Sequence, residues 1–163
     1  MSDTILLVED DENDVFFMRN AFKEVGILNP LQVAVDGQEA IDYLSGNGGY
    51  ADRERFPLPC LTLLDLKLPR VMGLGVLKWM REQPALKTLI VIILTSSRLG
   101  PDIERAYQLG ANAYLVKPSS PPELYKIATS IKQFWLELNH GQAACHESTE
   151  PIAGGHLRIA LHP

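Results

Sequence analysis

The chain has 163 residues, 46% of them apolar and 21% charged, with a formal net charge of −5 at pH 7. That length suits one domain with a sizeable core, and the negative balance argues against broad electrostatic binding to nucleic acid or to an anionic membrane. No apolar run approaches the ~20 residues that span a bilayer, Met1-Ser2-Asp3-Thr4 does not start like a signal peptide, and two distant cysteines, Cys60 and Cys145, suit a reducing cytoplasm better than a disulfide framework.

The first predicted element is the apolar run Ile5–Val8, which stops at Glu9. Glu9, Asp10, Asp11, Glu12 and Asp14 then place five carboxylates in six positions. A helix follows, with Val15, Met18, Phe22 and Val25 on one face. Asp11 or Asn13 can cap it, and Asp11, Glu12 and Asp14 suit the positive end of its dipole. The second strand is read at 31–35. Asp36-Gly37-Gln38-Glu39 then has capping-box spacing, with Asp36 as cap and Glu39 reaching back, and the helix runs on through Ala40, Ile41 and Leu44. Residues 45–59, SGNGGYADRERFPLP, are rich in Gly, Pro and charge and read as a long loop.

The third strand, Leu61–Leu64, ends at Asp65, and a helix is expected over 74–81. The fourth strand, 89–94, runs into Thr95-Ser96-Ser97, and a helix is expected over 101–109. The fifth strand, Ala113–Val116, ends at Lys117-Pro118. A last helix from about Pro122 carries Leu124, Ile127, Ile131, Trp135 and Leu138 at helical spacing. Residues 1–138 therefore read as one domain. Residues 139–163, with Gly pairs and no sustained period, read as a flexible tail. His140, His146, His156, His162 and Cys145 lack metal-ligand spacing and read as tail residues. Near-continuously apolar strands separated by helices imply a parallel sheet covered on both faces, an α/β doubly wound architecture.

Ligands of such sheets bind outside the carboxyl ends of the strands. Those ends carry Glu9 and Asp10, Asp65, Thr95 and Lys117: three carboxylates, a hydroxyl and an amine on one edge. Crowded carboxylates repel, and burial raises their pKa values. A divalent cation removes that cost, and oxygen-only ligands favour Mg²⁺ or Mn²⁺. An Asp in such a site can attack phosphorus to give an aspartyl-phosphate. The cation and Lys117 would then neutralise the phosphoryl oxygens, and Thr95 could donate a hydrogen bond to one of them.

These motifs resemble the response-regulator receiver domains of two-component signalling. The matching stretches are LLVED at the first strand, LLDLKLP with Asp65 followed by Pro69 and Gly73, VIILTSS at the fourth strand and AYLVKP at the fifth; VDGQEAIDYL and LGANAYLVKP fit as well. The resemblance covers residues 4 to about 138 and implies a flavodoxin-like (βα)5 domain with strand order 2-1-3-4-5. It implies that Asp65 is the phosphoacceptor and that Asp10 ligates the metal directly. Glu9 would act through water or by orienting a ligand, and the Lys67 backbone carbonyl would be a further ligand. It implies phosphoryl contacts from Thr95 and Lys117, and Tyr114 as a switch aromatic that turns inward when Thr95 moves. Ser96 is small, which leaves room for a phosphohistidine donor, and a cis peptide is expected at Lys117–Pro118.

The function so implied is that of a single-domain response regulator in a phosphorelay. It is not an enzyme, apart from slow self-catalysed phosphorylation and dephosphorylation. A sensor histidine kinase would phosphorylate Asp65 with Mg²⁺ present, in the cytoplasm. A surface of the fourth helix, fifth strand and fifth helix would then engage a downstream protein or a second copy, without nucleic acid or membrane. The insertion at 45–59 and the Phe134-Trp135 pair are similar to stand-alone regulators that partner bacterial phytochromes, so the expected kinase is phytochrome-like. Adjacent aromatics cannot both face inward on one helix, so one of the two meets a partner.

Some residues depart from the pattern. Met72 replaces a small polar residue before Gly73 and removes a helix cap. Gly75 weakens the third helix by up to ~1 kcal/mol. Lys67, two residues past Asp65, could pair with the phosphoryl group and alter its lifetime. Two other readings compete. A Mg²⁺-dependent phosphohydrolase with an aspartyl-phosphate intermediate requires a second Asp two residues after the nucleophile, where Lys67 stands. A flavodoxin-type cofactor module requires a hydroxyl- or Gly-rich phosphate loop after the first strand, where the acids would repel phosphate.

Overall fold

A computed structural model describes residues 4–138. The expected tail at 139–163, with its histidines and Cys145, lies outside the described residues. Five strands form, β1 (Ile5–Val8), β2 (Leu31–Ala34), β3 (Leu61–Leu64), β4 (Ile90–Thr95) and β5 (Ala113–Val116). They pair in one parallel sheet of order β2-β1-β3-β4-β5. Helices α1 (Glu12–Glu24), α2 (Gly37–Ser45), α3 (Gly73–Glu82), α4 (Gly100–Gln108) and α5 (Pro121–Ser130) form the crossovers.

Successive strand residues point to opposite faces, so the central strands feed two cores. Ile5, Leu7, Leu61, Leu63, Ile92 and Leu94 pack beneath Met18, Ala21 and Phe22 of α1 and Ala128 of α5. Leu6, Val8, Leu64 and Ile93 pack beneath α2, α3 and α4, through residues such as Tyr43, Leu77, Met80 and Ala106. β1 and β3 are buried throughout, whereas the edge strand β5 is half-buried. Each fully buried Leu or Ile contributes about 1.5–3 kcal/mol, so the central strands anchor the sheet.

The caps decide where elements begin. The Asp11 carboxylate accepts from the backbone N–H groups of Asn13 at 2.8 Å and Asp14 at 3.4 Å, starting α1. β2 ends one residue earlier than its apolar run because the Val35 N–H leaves the sheet and donates to Glu39 Oε2 at 2.7 Å. Asp36 caps α2 by accepting from the Glu39 N–H at 2.8 Å. The reach-back of Glu39 therefore serves the residue before the cap. Met72 stands at the cap of α3 without a side-chain hydrogen bond, as its type dictates.

Three segments differ from the expectation. The insertion is the loop expected between α2 and β3, but it carries more internal structure than its Gly, Pro and charge content implies. It holds a 3-10 turn at Gly48–Tyr50, and Tyr43, Tyr50 and Phe56 pack as tilted and edge-to-face rings with centroids 5.0–6.2 Å apart. Arg53 donates to the carbonyls of Tyr43, Leu44 and Phe56, which satisfies the end of α2. Beyond α5, Ile131–Leu138 is a π-helix rather than a continued α-helix. Its wider turn changes which side chains stack. Trp135 still packs on the core under α1 and α5, but Leu138 is exposed. Phe134 is also exposed and meets Trp135 edge-on at 4.9 Å. Finally, no cis peptide occurs among the described residues. Lys117–Pro118 is trans, the intrinsically favoured isomer. No helix among the described residues is long and apolar enough to cross a membrane.

Gly73 marks where the loop after β3 returns against its own strand end. A Cβ there would stand 2.0 Å from the Asp65 carbonyl oxygen, a backbone atom that cannot rotate away. Gly73→Ala is expected to cost about 2 kcal/mol or more. Gly49→Ala, whose Cβ meets nothing within 4 Å, is expected to be near neutral. Urea denaturation of the two variants checks this contrast.

Candidate metal centre and acceptor carboxylate

The parallel register brings the strand ends together. Val8 and Leu64 are register partners at the ends of β1 and β3, as are Thr95 and Val116 at the ends of β4 and β5. The ladder continues one residue further. The Asp65 N–H donates to the Val8 carbonyl at 3.1 Å, the Glu9 N–H to Ala34 at 2.9 Å and the Lys117 N–H to Thr95 at 2.8 Å. The first residue past β1, β3 and β5 is thus fixed by the sheet itself, and these residues are Glu9, Asp65 and Lys117.

Lys117 Nζ lies 2.5 Å from Glu9 Oε2, 2.7 Å from Asp65 Oδ2 and 2.8 Å from Asp14 Oδ2. Glu9 and Asp65 are buried. Taking such charges out of water costs several kcal/mol per ion unless they are paired, and the ammonium supplies the pairing. Burial pushes the Glu9 carboxyl above its ordinary range, and Lys117 offsets this only in part. Burial alone would pull the Lys117 ammonium down, but the three carboxylates outweigh it and hold the group above the ordinary lysine range.

Three carboxylates facing one ammonium leave negative charge unbalanced. Glu9, Asp10 and Asp65 each offer an oxygen, and these atoms lie within 4.8 Å of one another. Asp10 is exposed and faces water. An all-oxygen donor set with residual negative charge and access to water fits a hard divalent cation such as Mg²⁺ or Mn²⁺. The Lys67 N–H donates to Asp65 Oδ1 at 3.2 Å, so the following loop folds back over the Asp65 carboxylate. Lys67 is otherwise exposed.

Thr95 is fully buried at the end of β4, and its hydroxyl accepts from the Ser97 N–H at 3.4 Å. The half-buried Tyr114 donates its hydroxyl to the Ser97 carbonyl at 3.1 Å. Ser97 Oγ donates to Asp102 Oδ2 at 2.5 Å. Ser97 therefore joins Thr95, Tyr114 and the first turn of α4, a role that a Thr-Ser-Ser run does not reveal. Asp14 is the other residue that sequence reasoning missed. It lies in the first turn of α1, where an acid suits the dipole, yet its carboxylate also pairs with Lys117 far along the chain. The available signal was its spacing of four from the buried Met18, which puts both on one helix face. A cavity of about 260 Å³ adjoins the site, lined by Phe17, Met18, Leu94 and Leu124 together with Glu9, Asp14 and Lys117.

Lys117→Met removes the ammonium and leaves Glu9 and Asp65 buried without their partner. The expected loss at pH 7 is about 3 kcal/mol or more. The sign with pH follows from Glu9. Its folded pKa is raised, so the folded variant binds the extra proton first and regains stability as pH falls through that value. Urea denaturation at pH 7 and pH 5 checks this, and a loss that does not shrink at the lower pH would contradict the pairing.

Residues 5–129 match the family described as the response regulator receiver domain. The chain is 36% identical over 135 residues to the probable methanogenesis regulatory protein FilR2 of Methanothrix harundinacea, covering 83% of this chain and 84% of that protein. It is 38% identical over 133 residues to response regulator Rcp1 of Synechocystis sp., covering 82% and 88%. The crystal structure of the Mn²⁺-bound form of Rcp1 superposes with a TM-score of 0.78 at 36% identity, covering 86% of this chain and 99% of that one. The phosphorylated cyanobacterial phytochrome response regulator RcpA gives a TM-score of 0.78 at 34% identity, covering 84% and 96%.

Proposed function

The chain belongs to the response-regulator receiver domain family, and from that premise we propose that it relays a signal by accepting a phosphoryl group on Asp65 from the phosphohistidine of a sensor histidine kinase. The observation that carries this reading is the Lys117 ammonium 2.7 Å from Asp65 Oδ2, with Glu9 and Asp10 beside the same carboxylate. An Asp65 oxygen attacks phosphorus; the P–N bond breaks as the P–O bond forms. The imidazole nitrogen leaves with the electron pair and takes up a proton.

Glu9, Asp10, Asp65 and the Lys67 carbonyl would hold Mg²⁺, with Mn²⁺ as a substitute. When bound, the cation supplies positive charge against the phosphoryl oxygens. Lys117 brings a second positive charge to the same oxygens, and the Thr95 hydroxyl donates to one of them. A Thr95 hydroxyl turned toward the phosphoryl group no longer accepts from Ser97, and Ser97 is where the Tyr114 hydroxyl is held. The equilibrium so biased repacks the surface of α4, β5 and α5. A downstream protein or a second copy reads that surface, and the exposed Phe134 extends it beyond α5.

The similarity to RcpA supports a phytochrome-class kinase as the donor, acting in the cytoplasm. A turnover phosphohydrolase is disfavoured because Lys67 stands where that chemistry needs an acid.

Acetyl phosphate with Mg²⁺ is expected to phosphorylate the wild-type chain on the peptide that contains Asp65, read by mass spectrometry. Asp65→Asn is expected to take up none, and labelling at the wild-type level would overturn the assignment. In calorimetric titration, Asp10→Ala should abolish Mg²⁺ binding, while Glu12→Ala, on the exposed side of α1, should leave it within about 0.5 kcal/mol.

A further inference from the structure

The loop after Asp65 adopts a conformation that its own sequence disfavours. Arg70 has a φ of 64°, in the left-handed region where a side chain crowds its own backbone. The Val71 N–H closes the turn on the Pro69 carbonyl at 2.7 Å. Such a residue persists only where its surroundings over-determine it, and those surroundings are the first turn of α2. Arg70 Nη1 donates to Asp36 Oδ2 at 3.1 Å. The other oxygen of Asp36 is already committed to the Glu39 N–H as the helix cap. The Gly37 N–H donates to the Pro69 carbonyl at 3.4 Å, and a Cβ on Gly37 would stand 1.9 Å from the Val71 carbonyl oxygen. At the opposite side of the loop, Lys67 is tied to Asp65 Oδ1 and the Gly73 N–H to the Leu66 carbonyl at 3.0 Å. The segment that carries the Lys67 carbonyl is therefore held from both sides.

We propose that the ion pair between Asp36 and Arg70 is a positioning clamp on the acceptor loop: it holds residues 69–71 against the start of α2 and so sets where the Lys67 carbonyl stands relative to the Asp65 carboxylate. This rests on the reading of Asp65 and Lys67 as ligands of the divalent cation. Neither clamp residue touches the acceptor carboxylate, and both act through the loop. The Arg70 side chain is 61% exposed, whereas that of Asp36 is 12% exposed. The pair thus works by direction, from a carboxylate that capping has already fixed, rather than by strong attraction. The insertion braces the same turn, because Tyr50 donates its hydroxyl to Glu39 Oε1 at 2.6 Å while Glu39 Oε2 accepts from Val35.

Two variants separate the clamp from its by-products. Asp36→Asn keeps a good helix cap but removes the charge. Arg70→Gly relieves the left-handed backbone but removes the cation. In full-length protein titrated with Mg²⁺ alone, each should weaken binding about tenfold, the lower end of what is lost when groups supporting metal ligands are removed. Each should also shift the Lys67 amide resonance before any metal is added. The double variant should be no weaker than either single one, because both remove the same contact, and Arg70→Lys should recover most of the affinity. Additive losses would overturn the clamp. So would wild-type affinity with an unmoved Lys67 amide in both single variants, provided that Asp10→Ala still abolishes binding. If Asp10→Ala binds Mg²⁺ as tightly as wild type, the metal-site reading itself fails and the clamp falls with it.

Discussion

The contact on which the structure turns is the Lys117 ammonium held among Glu9, Asp65 and Asp14. Buried like charges repel, and this fold brings three carboxylates to one end of its sheet. β1 and β3 are neighbours, but β4 separates β3 from β5. Adjacent strands lie about 4.8 Å apart, so the cation must reach across an intervening strand. The flexible four-carbon stem of a lysine suits that span, and its compact ammonium can meet three carboxylates at once. Glu9 and Asp65 pair with Lys117 and also belong, with Asp10, to the set that could hold a divalent cation, so ammonium and metal address one pool of negative charge.

Everything around that contact serves to aim it. The sheet fixes Glu9, Asp65 and Lys117 by extending its ladder one residue beyond each strand. The loop after Asp65 is turned back by Gly73, which lets its backbone approach the Asp65 carbonyl, and is held from outside by the first turn of α2. On the other side, Ser97 gathers the Thr95 hydroxyl, the Tyr114 phenol and Asp102 into one hydrogen-bonded set. A change at Thr95 therefore has a direct route to α4 and β5. In this arrangement the sheet positions Glu9, Asp65 and Lys117, and the loops at its carboxyl edge supply the contacts that surround them.

The strands were legible because buried parallel strands are apolar on both faces, and β1, β3 and β5 fell at the expected residues. Once the strand ends were known, Glu9, Asp65, Thr95 and Lys117 followed, since ligands of such sheets bind at those ends. Contacts made by tertiary packing were less visible. The pairing of Asp14 with Lys117 depends on how α1 lies across the end of β5, and the same acid also suits a helix start. The order within the insertion comes from Tyr43, Tyr50 and Phe56, whose ring contacts depend on how the chain folds back on α2 rather than on one local period. The π-helix at Ile131–Leu138 was hidden because its apolar residues also satisfy an α-helical period. The trans peptide at Lys117–Pro118 corrects an expectation carried over from the family rather than from these residues.

The cluster of Glu9, Asp10 and Asp65 is compatible with a divalent cation bound at Asp65. Anomalous diffraction from crystals of the full-length chain grown with Mn²⁺ tests it most directly. The expected result is an anomalous peak in contact with Glu9, Asp10 or Asp65 and with the loop that carries Lys67. A fully occupied Mn²⁺ elsewhere, on the outer acids of α1 for example, with nothing beside Asp65, would contradict it.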